Sequence, residues 1–165
     1  MERRTALLII GFAAAAALAA VVTVPLYAPA GAFHHLDGRP GMLDHVWSGT
    51  GAPGAVYLLG DLLCHQDMGR SFSLTGSQLP FCIRDVGILV GFTVGTLACV
   101  PLSERLENRR VLHLGLLLAT VTFVEWCAEH VAGDMPEARF ATALVSGVGI
   151  AMVLAWMMYG DVEKG

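Results

Sequence analysis

Four stretches of this sequence are nearly free of charge, at residues 5–27, 86–102, 111–124 and 140–159. No other feature constrains the fold as tightly. An α-helix rises 1.5 Å per residue, so about 20 apolar residues cross the ~30 Å hydrocarbon layer of a bilayer. The first, second and fourth stretches reach or approach that length, and the third does so if Glu125 and Glu129 sit near its outer end. Only 15% of the residues are charged and mean hydropathy is +0.63, whereas a soluble domain carries about 25% charged residues. The expected fold is all-α: a single-domain integral membrane bundle of four transmembrane helices. These fall at about 5–27, 84–102, 110–130 and 138–159, with a long extracytoplasmic loop, 28–83, between the first and second.

Basic residues set the expected sidedness. Arg3 and Arg4 precede the first helix, and Arg105, Arg109 and Arg110 lie between the second and third. The positive-inside rule puts both places in the cytoplasm, and with them both termini of a multi-pass protein of the cell membrane. The first 30 residues also pass for a secretory signal. Their apolar run is longer than a signal core of 7–15 residues, which favours a retained helix. The net charge of −4 says little, since placement of charge matters more than its sum in membrane proteins, and no basic stripe suggests nucleic acid as a partner. The remaining partners are the lipid bilayer and either a second copy of the chain or another membrane subunit. No phosphate loop, hydrolase elbow or nucleotide fingerprint occurs.

The loop opens irregularly, with prolines and glycines from Pro29 to Pro53, and turns apolar at Ala55–Leu63, as a short interfacial helix would. Trp47 and Tyr57 are aromatics suited to the headgroup level, and His34, His35 and His45 read as solvated. Gly87, Gly91 and Gly95 recur every four residues, a ridge along which a neighbouring helix can approach closely. Cys99 and Cys127 fall within helices and read as small packing residues.

Chemistry concentrates between Asp61 and Gly91. Cys64, His65 and Cys82 offer two sulfurs and a nitrogen, the donor set of zinc, copper or iron, and Asp85, Glu125 or Glu129 could complete the coordination. Adjacent Cys64 and His65 side chains point different ways on a helix or a strand, so one of the two is expected to be structural. A disulfide between Cys64 and Cys82 is the rival reading, favoured by an oxidising compartment and stabilising by roughly 3 kcal/mol. Arg70, Arg84 and Arg139, with Gln66 and Gln78, could hold an anionic cofactor or lipid phosphate. The simpler alternative pairs the arginines with Asp85, Glu125 and Glu129, and Arg84 is expected to meet Glu125 or Glu129. Three functions stand open: a metal-binding or accessory protein, a thiol–disulfide oxidoreductase cycling Cys64 and Cys82, and a structural subunit with a disulfide-stapled loop.

Cys64-His65-Gln66, Arg70-Ser71-Phe72 and Gln78-Leu79-Pro80 with Cys82 and Arg84, followed by Gly87 and Gly91, form a specific combination. It resembles an uncharacterised family of small multi-pass membrane proteins of bacteria and archaea. Arg139 fits a weaker downstream element, while Leu89 and Ala143 depart from a tyrosine and a glycine common there. The resemblance implies a membrane topology and a site location, and it implies no activity.

Overall fold

The structure, a computed structural model, describes residues 2–47, 50–133 and 135–160. It is mostly helical. The helices are α1 (Glu2–Thr23), α2 (Gly51–Leu63), α3 (Ile83–Cys99), α4 (Arg109–Ala119), α5 (Val121–Ala132) and α6 (Pro136–Tyr159). A two-stranded hairpin, β1 (Ser73–Leu74) and β2 (Ser77–Gln78), lies between α2 and α3. The chain divides into two compact units, residues 1–16 with 87–165, and residues 17–86.

Three helical segments are long and apolar enough to cross a membrane: Arg3–Tyr27, Arg109–Val131 and Glu137–Tyr159. The expected second span, α3, has 17 residues, a rise of about 25 Å against the ~30 Å core. It stops at Cys99, two residues before Pro101, whose missing N–H cannot continue the ladder.

The first unit packs its helices through glycine. A Cβ on Gly91 would collide with the Leu144 carbonyl oxygen, one on Gly87 would stand 2.8 Å from the Ala143 Cβ, and one on Gly95 2.8 Å from the Ala151 Cβ. The expected ridge therefore lies on α6, which answers it with Gly147, where a Cβ would strike the Ile88 carbonyl. A second close crossing joins Gly115 of α4 to Gly149 of α6. Leu7, Cys99, Leu106 and Ala155 close one end of this core. Leu116, Leu117, Phe123, Val124 and Val131 face outward, an apolar surface that suits lipid and not water. Cys127 is exposed on α5, so of the two helical cysteines only Cys99 is a core residue.

The expected third helix is two helices in line. Ser146 of α6 causes the break: its hydroxyl donates to the Leu118 carbonyl at 3.1 Å and accepts from the Thr122 N–H at 2.9 Å. Those two groups would otherwise pair with each other, so an inserted side chain interrupts the ladder while satisfying both ends of it.

The second unit has a small aromatic core. Val24, Phe33, Leu36 and Tyr57 are buried together, with ring centroids 4.0 Å apart for Phe33–Tyr57 and 5.4 Å for Trp47–Tyr57. Tyr57 is thus a core residue and not a headgroup anchor. Its hydroxyl donates to the Gln78 carbonyl at 2.6 Å. The hairpin turns on Thr75 and Gly76, both at positive φ (52° and 79°), the pair that a two-residue turn needs to match strand twist.

Candidate functional site

The second unit is built so that the segments carrying Cys64 and Cys82 meet. Helix α2 ends at Leu63, and Cys64 follows in extended conformation with its N–H still held by the Gly60 carbonyl at 2.8 Å. Gln66 then turns back at φ 46°. Its buried amide donates to the carbonyls of Tyr57 at 3.2 Å and Pro80 at 3.0 Å. Gln78 returns the favour, donating to the Gln66 carbonyl at 2.5 Å and accepting from the Leu36 N–H at 3.4 Å. Gly60 must be glycine, since a Cβ there would run into the Pro80 carbonyl oxygen. The two glutamines therefore spend their amides on backbone, as the knots of a loop with little regular structure.

Two residues past Pro80, Cys82 stands immediately before α3, with Asp85 in its first turn. The ligand atoms of Cys64, Cys82 and Asp85 all lie within 4.8 Å of one another. The Cys82 N–H donates to the Cys64 sulfur at 3.2 Å, and the Cys82 thiol contacts Asp85 Oδ2 at 3.1 Å. Cys64 is buried, Cys82 and Asp85 are half-buried, and all the cysteines are free thiols. The disulfide staple is not formed. His65 points outward and is exposed beside buried Cys64, the divergence expected of neighbours on an extended chain.

The two thiols split in acidity. Their mutual hydrogen bond, and then burial, push Cys64 well above the ordinary thiol range. The bond from Cys64 holds Cys82 below that range, against burial and the nearby Asp85. A position at the start of a helix favours a thiolate at Cys82 as well.

The other candidates are placed as follows. Arg70 is exposed, 3.6 Å from Asp67. Arg84 is half-buried in the first turn of α3. Arg139 belongs to the first unit, where it is buried and its Nε lies 2.6 Å from Glu129 Oε1. Glu125, one turn earlier on the same helix, is also buried. Glu129 thus has Arg139 as an ion-pair partner inside the bundle, a costly arrangement unless paired.

One buried constellation was not foreseen. Asp61 has no exposed surface and accepts from the His45 N–H at 3.2 Å, the Trp47 Nε1–H at 3.1 Å and His45 Nδ1 at 3.0 Å. His45 is half-buried and not solvated as expected. The signal available in the sequence was an acid inside an otherwise apolar helix, which needs donors wherever it is buried.

Fold and site together define a class: a mostly helical, multi-pass integral membrane protein with a Cys–Cys–Asp cluster in a polar segment between its apolar helices. The chain belongs to the family described as predicted membrane protein (DUF2085), which matches residues 64–154 and so begins at Cys64 itself. An uncharacterised protein of Methanocaldococcus jannaschii is 24% identical over 113 residues, which cover 66% of this chain and 72% of the relative. No solved structure matches significantly.

Proposed function

We propose that the protein binds a thiophilic divalent ion, zinc by preference, through Cys64, Cys82 and Asp85. The mutual approach of the two sulfurs and the carboxylate within 4.8 Å carries this reading. A tetrahedral zinc with bonds of about 2.3 Å to sulfur and 2.0–2.2 Å to oxygen keeps its ligands about 3.3–3.8 Å apart, so side-chain rotation of about 1 Å closes the trio on an ion. Cys82 and Asp85 reproduce the two-residue spacing of a zinc knuckle, with a carboxylate in the second place. Three protein ligands leave one position for water or an incoming group. Cobalt(II) added to the reduced protein should give a thiolate charge-transfer band, abolished by Cys82→Ser and unchanged by Cys127→Ser. A band that survives Cys82→Ser would remove the assignment.

The hydrogen bond between the thiols favours a second reading, in which Cys64 and Cys82 close to a disulfide and reduce a substrate disulfide to two thiols. A Cys64–Cys82 reduction potential above about −300 mV supports exchange; one below it marks a structural bridge. In either case the site is taken to lie outside the cytoplasm. The supporting topology counts α3 as a short fourth span and puts both termini inside, following the arginines at 3, 4, 105, 109 and 110. Cysteines introduced at Ser103 and Gly41 should label from opposite sides of the membrane; labelling from one side would reject it.

A further inference from the structure

An open apolar depression of about 460 Å³ lies on the second unit, lined by Trp47, Ala55 and Leu58 and rimmed by exposed Leu43 and Val46, with His45 as its titratable side chain. That volume suits a small organic molecule. The wall is aliphatic and aromatic, and Trp47 is held rigid by stacking on Tyr57 and by its bond to Asp61. His45 is equally fixed. The carboxylate of fully buried Asp61 takes the backbone N–H of His45 and the indole N–H of Trp47 on Oδ2, leaving Oδ1 to His45 Nδ1 at 3.0 Å. Facing an acceptor, Nδ1 carries the ring proton, so in the uncharged ring Nε2 is the nitrogen left to accept. No hydrogen bond engages Nε2 among the described residues.

We infer that this depression is a second ligand site, distinct from the thiol cluster, for an apolar molecule bearing one hydroxyl donor, such as a phenol, a quinol or a hydroxylated lipid. Three features select that class. The apolar lining favours a ligand with an apolar face, because polar groups set against it would lose water without finding partners. The pinned tautomer demands a donor at Nε2, which rejects an otherwise identical molecule that carries none. The buried Asp61 charge behind the imidazole disfavours an anionic head. Held in this way, His45 also has the arrangement of a base able to take the hydroxyl proton, since Asp61 stabilises the imidazolium that forms.

Binding of 1-naphthol and of naphthalene to the full chain in lipid nanodiscs tests the inference. Saturable binding of naphthol, about 5-fold to 10-fold tighter than naphthalene, is expected from one hydrogen bond. Leu58→Trp should fill the depression and abolish both, and His45→Phe should keep both but erase the preference. A quinol and a long-chain alcohol run alongside separate a ring-binding site from a lipid site. Equal affinity for naphthol and naphthalene in the unaltered protein, which needs no variant to fold, overturns the inference. So does binding that Leu58→Trp leaves unchanged. The cobalt signal of Cys64 and Cys82 reports separately on the proposed metal site, so failure of one reading does not imply failure of the other.

Discussion

The two units bury chain by opposite means. In the first, backbones approach because side chains are missing: Gly87, Gly91 and Gly95 meet α6, and Gly115 meets Gly149. Backbone polar groups there are already satisfied within each helix, so removing Cβ atoms suffices to bring helices together. In the second unit the backbone between α2 and α3 is largely irregular, and buried carbonyls and N–H groups need outside partners. Side chains supply them. Gln66, Gln78, Ser77 and Asp61 are buried for that purpose, while Gly60 and Gly54 are places where absence of a side chain matters in the same way. Local regularity decides which device is needed. A helix packs through what it lacks, and a loop through the amides it adds.

Three substitutions sharpen that contrast. Gly91→Leu should have the largest effect, because the obstacle is the Leu144 backbone and no rotamer avoids it; loss of the folded protein in detergent, read by size exclusion, is the expected outcome. A monodisperse, fully helical variant would break the glycine half of the comparison. Arg139→Met comes next. It removes the Arg139 cation from the Glu129 carboxylate, at a cost of about 3–5 kcal/mol, and the double variant with Glu129→Gln should recover most of the loss in denaturant titration. Gln78→Ala is the mildest. It strands the Gln66 carbonyl and the Leu36 N–H, at about 1–3 kcal/mol for each buried group. Far-ultraviolet circular dichroism should hardly change, while Cys64 becomes faster to alkylate. Unchanged thiol reactivity would break the amide half.

Much of the first unit was legible in the sequence, because length, charge and a four-residue glycine period act locally. The break at Thr120 was not, since Ser146 on another helix makes it. Pro101 marks the end of α3 in the sequence, and the helix stops two residues before it at Cys99. In the second unit the motif marked the stretch that carries the chemistry, but not what its side chains touch. Gln66 and Gln78 bond backbone carbonyls, contacts that their spacing in the sequence does not reveal. Asp61 and His45 are sixteen positions apart across an irregular segment, with no period to connect them. Cys82 and Asp85 are close because a helix starts between them.

Elemental analysis of protein purified under reducing conditions with zinc supplied tests the proposed metal site at Cys64, Cys82 and Asp85 most directly. Close to one zinc per chain is expected, reduced to background by Cys64→Ser or Cys82→Ser and retained in His65→Ala. Metal-free protein whose Cys64 and Cys82 thiols both titrate freely, and which takes up no zinc on addition, would contradict it.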